Sequence, residues 1–327
     1  MSSNVNLSLT LADGTVLKLF SDVISLVIDA DIFSAADSCS VVFTSKKHIG
    51  EISKVSVYIG GDLRFKGICD KQLSERVGVG LEITLQCRSL AAYMVDNDFM
   101  PGNYTNMQYQ SFLNVLANSA DVDVSSEDSV FELGGYFKIG SSTTYYDALT
   151  KFLKLTNGST PRIDSVGVYR RNWLDVPEAG LISNENEEGV PFLSAQRQFK
   201  RSAAIGRIVS PNLDGLYTVG VTNTVAESHG ITNEVYRSFA GYSESERYGK
   251  IETAFAKQNG ELERYTILAD ANQLPESFTV GASISFSDSL VTGGNIYLVI
   301  TGHKRMLDEE GDRVLITATP YLNVVYY

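Results

Sequence analysis

Between positions 55 and 68 the sequence reads Val55-Ser56-Val57-Tyr58-Ile59-Gly60-Gly61-Asp62-Leu63-Arg64-Phe65-Lys66-Gly67-Ile68. Apolar residues alternate with polar ones on both sides of the Gly60-Gly61-Asp62 turn. A period of two is typical of strands that turn one face to a core. Paired glycines allow the left-handed backbone that a tight hairpin needs. This stretch therefore predicts a β-hairpin.

The same alternation continues through the first hundred residues. Asp13-Gly14 is a second hairpin turn, and Gly78-Val79-Gly80 is a further turn between strands. With the first hairpin, the sequence predicts about six strands, enough to close a small barrel or sandwich. The remaining strand patterns lie at 7–11, 16–19, 24–28, 40–43 and 81–87.

Between about 100 and 180 the apolar period becomes helical. Phe112, Leu113 and Leu116 share one helix face, and Thr144 followed by Asp147 is a capping pattern that opens a second helix, which ends at Asn157-Gly158. Short strands are predicted at 130–139 and 166–170. The pattern favours a small α+β segment over a nucleotide-binding βαβ domain.

Strand patterns return in the last third, at 216–221, 296–300 and 313–318. The last two are joined by the turn Asp308-Glu309-Glu310-Gly311-Asp312, predicted to be solvated. A helix is predicted to open at Ser243, with Glu246 three residues later, and to run to Asn259-Gly260.

These patterns predict a mainly β chain with an α+β insertion: two similar β-domains and a small α+β middle domain. The predicted boundaries are 1–98 for the first β-domain, 99–178 for the middle domain, 179–195 for an exposed linker and 196–327 for the second β-domain, with a helical insertion near 243–259. A length of 327 residues is ample for this division.

The composition argues against several classes of protein. Lys and Arg number 27 against 39 Asp and Glu, a net charge of −12, which disfavours a general nucleic-acid surface. Neither a signal-peptide pattern nor a membrane-spanning apolar run is present, so we expect a soluble protein made inside the cell. Three cysteines, Cys39, Cys69 and Cys87, lack the spacing of a zinc site or a disulfide framework and are expected to be buried free thiols.

The sequence offers little catalytic chemistry. Its three histidines, His48, His229 and His303, lie in separate segments, and His303 is expected to face solvent before a hairpin turn. GxSxG, HExxH, GxxxxGK[ST] and GxGxxG motifs are absent. Two acidic clusters, one at Asp121, Asp123, Glu127 and Asp128 and the other at 308–312, lack EF-hand spacing. We therefore predict no enzymatic activity, no metal and no cofactor.

Three features point to assembly contacts. One is a basic strand with Arg197, Lys200, Arg201 and Arg207, since a basic strand in an acidic protein suits an acidic neighbour. Another is the pair of hairpin tips at Gly60, Gly61, Asp62 and at Asp308, Glu309, Glu310. The third is the apolar C-terminal run ending in Tyr326 and Tyr327, which is predicted to dock because an apolar β-rich end must pair or be buried.

Residues 55–71, followed by Leu81-Glu82-Ile83-Thr84-Leu85-Gln86-Cys87-Arg88-Ser89-Leu90-Ala91-Ala92-Tyr93-Met94-Val95-Asp96, resemble the first barrel of phage baseplate hub proteins. The family pattern is V-x-V-x-I-G-G-x-x-x-F-x-G-x-I, then a strand running into R-x-L-x-x-x-L/M-V-D. Residues 274–284 resemble a turn of the family's second barrel, and 297–304 with 313–320 its closing strands.

The resemblance implies a homotrimer in which each subunit supplies two tube-type β-barrels, so that three chains make a ring of six. Such a ring joins a hexameric tail tube to a trimeric central spike, and the same barrel pair occurs in type VI secretion spike proteins. It further implies a separate spike or tail lysin protein and other baseplate proteins as partners, DNA only as passing cargo, and a place in the virion or tail-like particle after synthesis in the host cytoplasm.

Two alternatives remain open at the level of sequence. One is a carbohydrate-binding or adhesin module of a phage tail, which would need an exposed aromatic platform. The other is a cell-wall hydrolase relying on carboxylates such as Asp121, Asp123 and Glu127, because residues 100–180 hold no histidine or cysteine.

Overall fold

The computed structural model describes residues 4–20, 23–125, 132–156, 161–172, 178–212, 214–238 and 244–320. The chain divides into two compact units. Unit 1 comprises residues 1–175, 269–274 and 302–315, and unit 2 comprises 176–268, 275–301 and 316–327. The prediction of a mainly β chain with an α+β segment is confirmed.

Unit 1 opens with seven strands, one at each strand pattern quoted from the first ninety residues, so the predicted number of about six is one too low. They are β1 (Val5–Leu11), β2 (Val16–Phe20), β3 (Val23–Asp31), β4 (Ser38–Ser45), β5 (Ile52–Ile59), β6 (Asp62–Val77) and β7 (Gly80–Ser89). They form an antiparallel sheet in the order β3-β4-β7-β6-β5-β1-β2. On the other side of β3, pairing continues with residues 302–307 of β19 (Gly294–Asp308).

This sheet surrounds one apolar core. Buried side chains of β1, at one side of the strand order, and of β3 and β4, at the other, join a single cluster that includes Leu9, Ile28 and Phe43. Leu307 packs against the same cluster. A sheet whose distant strands share one core must curl, which is consistent with a barrel.

Strands β6 and β7 approach each other closely at Gly67. A Cβ at Gly67 would lie 2.1 Å from the carbonyl oxygen of Arg88 on β7 and 2.8 Å from the ring of Phe65. Only glycine fits at this position, with the buried Phe65 ring covering it. The spacing Phe-x-Gly in the sequence is therefore a packing requirement.

The α+β part of unit 1 has its own core. Helices α1, α2 and α3 pack with two short sheets around Phe112, Phe152 and Tyr169. Thr144 accepts from the backbone N–H of Asp147, which confirms the predicted cap. The elements are α1 (Ala91–Asp96), β8 (Gly102–Gln108), α2 (Tyr109–Ser119), β9 (Glu132–Ile139), α3 (Tyr145–Thr156), β10 (Arg162–Ile163) and β11 (Tyr169–Arg170).

One prediction in this part needs correction. The strand predicted at 166–170 is reduced to β11, because residues 165–167 form a turn held by the carboxylate of Asp164, which accepts from the N–H groups of Val166 and Val168. The strand predicted at 130–139 is present as β9 from Glu132 to Ile139, and residues 130–131 lie outside the described residues.

Unit 2 is built on strands in the order β13-β17-β20-β19-β18-β12. Strand β17 shows strict alternation of buried and half-buried residues, and its antiparallel register with β13 pairs Arg197 with Tyr265. The strands are β12 (Gly180–Ser183), β13 (Ser194–Phe199), β17 (Glu263–Asp270), β18 (Ser283–Asp288), β19 and β20 (Gly311–Thr319).

The stretch 179–195 is not simply an exposed linker. It contains β12, which pairs in parallel with β18 and buries Ile182 and Ser183. The local sequence, rich in Asn, Glu and Gly, does not reveal this strand because its partner lies about a hundred residues later.

The interruption between β13 and β17 is larger than the single predicted helix. It holds a three-stranded sheet ordered β15-β14-β16, with Ile251 and Phe255 of α5 packed on Ile208. Helix α5 runs three residues past Asn259, while Ser243 and the side chain of Glu246 lie outside the described residues. The elements are β14 (Arg207–Pro211), β15 (Tyr217–Thr222), α4 (Thr224–Ser228), β16 (Glu234–Tyr236) and α5 (Glu244–Leu262).

Candidate interaction surfaces

The tip of the β5–β6 hairpin is shaped by its glycines. Gly60 and Gly61 have φ angles of 65° and 100°, a conformation that a residue with a side chain adopts only under strain. Both are exposed, and Asp62 beside them pairs with Arg64 at 3.1 Å. The predicted tip therefore exposes backbone that carries no side chains, and a carboxylate whose charge is partly neutralised by Arg64.

The tip between β19 and β20 is acidic. Asp308 and Glu310 both pair with Arg313, and Glu309 is exposed. The tip thus carries three carboxylates and the guanidinium of Arg313, and it keeps a net negative charge, which suits a basic neighbour. Like the β5–β6 tip, it belongs to unit 1.

Asp312 does not belong to the solvated acidic turn in which the sequence analysis placed it. Its carboxylate is buried and accepts two hydrogen bonds from Arg305, at 2.9 and 2.6 Å. A buried charge needs a partner, and here Arg305 on β19 and Asp312 on β20 satisfy each other. The pair therefore links these two strands at the base of the tip.

His303 also differs from its prediction. It lies inside β19, five residues before the strand ends, and is half-buried. Burial, together with the positive charges of Arg305 and Arg64, lowers the pKa of His303 to about 4. The side chain is therefore neutral at pH 7 and is not a solvent-facing histidine.

The basic residues do not share one strand. Arg197 lies on β13, Arg201 opens a 3-10 turn at Arg201–Ala203, Arg207 lies on β14, and Lys200 falls between the first two elements. Arg197 pairs with the buried Glu263 at 2.7 Å, and Arg207 with Glu234 at 3.3 Å. Much of the predicted positive charge is thereby compensated within unit 2.

Among the described residues, neither Lys200 nor Arg201 has an ion pair like those of Arg197 and Arg207. Both side chains are exposed, and the guanidinium of Arg201 donates to the carbonyl of Gly230 at 3.2 Å. These two cations are the part of the predicted basic surface that best suits an acidic neighbour. Tyr326 and Tyr327, predicted as a docked terminus, lie outside the described residues.

Two members of the acidic cluster of the α+β part, Asp121 and Asp123, are described, and both are exposed. Asp121 pairs with Lys66 at 2.8 Å. Hydrogen bonds from the hydroxyl and backbone N–H of Ser125 lower the pKa of Asp123, whereas a general acid needs a raised pKa. Glu127 and Asp128 lie outside the described residues, and within the described ranges no group of three or more His, Cys, Asp or Glu could hold a metal ion.

Sequence reasoning missed the exposed end of the β6–β7 hairpin. Beyond Cys69, β6 pairs with β7 alone, because its pairing with β5 ends at Ile68. The side chain of Gln72 accepts from the backbone N–H of Ile52 and donates to the carbonyl of Gly50, which closes off the start of β5.

This hairpin end carries apolar side chains in solvent. Leu73 and Val77 are 54% and 56% exposed, and Val79 in the turn is fully exposed. An unpaired strand edge with exposed apolar residues favours contact with another chain. The sequence indicates this exposed surface only through the apolar residues that flank Gly78, at a turn where polar residues are usual. The sequence analysis assigned Gly78-Val79-Gly80 simply as a turn.

None of the described helices has both the length and the apolar character needed to cross a membrane.

Comparison with known proteins finds similarity in the fold. The chain superposes on the 43 kDa tail protein of prophage MuSo2 from Shewanella oneidensis with a TM-score of 0.75 and 16% identity, covering 97% of this chain and 98% of that one. A tail protein from Neisseria meningitidis MC58 gives 0.72 and 14%, covering 98% of both. No family profile and no curated protein matches the sequence.

A third similar structure is an E. coli component of the type VI secretion system, described as structurally similar to the T4 bacteriophage tail proteins gp27 and gp5. Its TM-score is 0.52 with 12% identity, covering 92% of this chain and 74% of that one. The chain thus has the fold shared by phage tail proteins and type VI secretion spike-related proteins.

Proposed function

We propose that this protein is the structural baseplate hub of a contractile phage tail or tail-like injection particle. The observation that carries the proposal is a fold shared over nearly the whole chain with two phage tail proteins. Its role is to join a hexameric tail tube to a trimeric central spike, and it performs no chemistry itself.

The proposed assembly is a homotrimer. Each subunit supplies a first barrel within 1–98 and a second within 196–327, so that three chains present six similar barrels to the tube. Two features support this arrangement: the β-sheet of unit 1 curls round one core, and unit 2 contains a further set of paired strands. Cyclic symmetry closes such a ring without runaway polymerisation.

The subunit contacts we propose combine an apolar edge with charged tips. The edge of β6 beyond Cys69, with Leu73, Val77 and Val79, is one surface that a neighbouring chain would cover. The charged surfaces are the tips at Gly60, Gly61, Asp62 and at Asp308, Glu309, Glu310, together with Lys200 and Arg201. Tail tube protein, spike or tail lysin protein and other baseplate proteins are the proposed partners, with DNA only as passing cargo.

A carbohydrate-binding role receives less support. Tyr217 and Tyr236 form the one exposed tyrosine pair among the described ring contacts, and their rings stand at 71° to each other. The two rings therefore do not share one plane, and they do not form a continuous flat platform on which several sugar units could stack.

Light scattering on the purified protein, alone and co-expressed with the proposed spike partner, tests the proposal. A trimer has a mass of about 107 kDa, three times 35.8 kDa. A trimer in either preparation supports the ring, and electron microscopy should then show six-fold features. A monomer in both preparations contradicts the hub.

A further inference from the structure

The three cysteines lie side by side on neighbouring strands. Cys39 of β4 is the register partner of Cys87 on β7, and Cys69 of β6 is its partner on the other side. All three belong to the side of the sheet that faces the core, where Cys39 and Cys87 are buried and Cys69 is half-buried. Nothing in their sequence spacing indicates this arrangement.

The backbone of β7 distinguishes the two cysteine pairs. The N–H of Ser89 donates to the carbonyl of Asp37, on the β4 side. Backbone groups of alternate residues point the same way along a strand, so those of Cys87 also point toward β4. Cys39 and Cys87 are therefore a hydrogen-bonded pair, and Cys69 and Cys87 are a non-hydrogen-bonded pair.

Non-hydrogen-bonded pairs bring side chains closest, with Cα atoms about 4.5 Å apart. Disulfides span Cα separations of about 4.4–6.8 Å, so the Cys69–Cys87 pair falls within their range. A bulge follows Cys69, where β7 residue Gln86 pairs with Lys71. Such a bulge gives β6 local freedom to adopt the required side-chain dihedral.

The two thiols are also unequal in reactivity. The neighbouring Cys87 side chain lowers the pKa of Cys69, and the same contact raises the pKa of Cys87. The Cys69 thiol itself donates to the carbonyl oxygen of Lys71 at 3.5 Å. Desolvation alone raises the pKa of the third thiol, Cys39, to about 12. The half-exposed Cys69 is thus the group that can meet a reagent from solvent as a thiolate.

We propose that Cys69 and Cys87 form a dithiol site that reacts with small-molecule disulfides of the glutathione type to give an intramolecular disulfide, while Cys39 stays reduced. The Cys69 thiolate attacks one sulfur of the reagent, forming a mixed disulfide and releasing one thiolate. Cys87 then loses its proton to the released thiolate and attacks the sulfur of Cys69. This step forms the Cys69–Cys87 disulfide and displaces the second half of the reagent as a thiolate. The protein loses two thiols and two electrons, and the reagent is reduced to two thiols.

The Cys69–Cys87 disulfide would link β6 covalently to β7 at the point where the pairing of β6 with β5 ends. This point is the root of the exposed end of the β6–β7 hairpin, so oxidation would hold that end in register without changing its surface. The inference stands independently of the proposed function.

Trypsin separates the three cysteines, which makes the test direct. Cleavage after Lys and Arg places Cys39 in peptide 19–46, Cys69 in 67–71 and Cys87 in 77–88. The native protein is incubated with oxidised glutathione and then denatured at low pH in the presence of a maleimide, which blocks the remaining thiols, the buried Cys39 included. The tryptic digest is analysed by mass spectrometry without reduction. We expect a linked 67–71/77–88 species and a blocked Cys39.

A linkage that includes 19–46, a stable glutathione adduct on Cys69 without linkage, or three thiols still free would each overturn the proposal. Cys39→Ser is the matched control and should leave the 67–71/77–88 link unchanged. Cys69→Ser should leave Cys87 reduced under the same conditions, and oxidation of Cys87 in that variant would contradict the assigned order of attack. Circular dichroism before and after oxidation verifies that the reaction occurs in folded protein.

Discussion

Arg162 donates a hydrogen bond to Asp37, a residue 125 positions earlier in the chain, and the two side chains are only 8% and 1% exposed. Asp37 also accepts from the hydroxyl of Ser165, and Arg162 donates to the carbonyl of Asp31 at 3.0 Å. The network joins the α+β part of unit 1 to the connection between β3 and β4. Its buried charges are satisfied only while these segments stay together.

Replacing Asp37 with Ala should destabilise the protein by about 3–5 kcal/mol, because it leaves the Arg162 guanidinium buried without its counter-charge. Urea unfolding followed by circular dichroism measures the change. Asp62→Ala, which breaks an exposed pair, is the control and should change stability by less than about 1 kcal/mol. Equal losses in the two variants would contradict the structural role of the buried pair. In the double variant Asp37→Ala/Arg162→Met, part of the loss should be recovered.

Replacing Gly67 with Ala should destabilise the first sheet by about 3 kcal/mol, because the new methyl group meets the Arg88 carbonyl and the strands must separate. Gly134→Ala on β9 is the matched control, since nothing lies within 4 Å of a Cβ there and its φ is ordinary. Thermal unfolding compares the two. A Gly67→Ala protein as stable as the control would contradict the close approach.

His303 should make stability depend on pH. Its folded pKa of about 4 lies below the usual histidine pKa of 6.5, so the unfolded chain binds the proton more tightly. The stability that depends on a neutral His303 is fully present above pH 6.5 and is lost as pH falls toward 4, by up to about 3 kcal/mol. Unfolding of the wild type and of His303→Asn at several pH values in this range compares how steeply their unfolding free energies change with pH. A His303 ring signal, identified by its absence from the NMR spectrum of His303→Asn, that titrates near 6.5 in the folded protein would contradict the burial.

The exposed end of the β6–β7 hairpin should matter for assembly and not for folding. Val77→Ser/Val79→Ser should reduce the trimer fraction in light scattering, while the melting temperature of the subunit stays within a few degrees. Leu290→Ser removes an equally exposed apolar side chain from a turn in unit 2 and serves as the control. If both variants assemble like the wild type, the β6 edge is not a subunit contact.

The sequence alone determined the local elements. Alternating apolar residues produced β1 to β7, the Gly60-Gly61 turn produced the hairpin, and Thr144 with Asp147 produced the start of α3. These features follow from interactions between residues close in the chain, where periodicity and turn chemistry act directly. They were enough for the fold class and for the resemblance to tail hub proteins.

The tertiary structure decided which polar and reactive groups are buried and what they meet. Asp312 and His303 looked like surface residues, and residues 180–183 looked like linker, until β19 and β18 supplied their surroundings. Cys69, Cys87 and Cys39 became neighbours only through strand register. Burial and pairing of this kind depend on partners tens to hundreds of residues away, and the local pattern of a sequence carries no record of them.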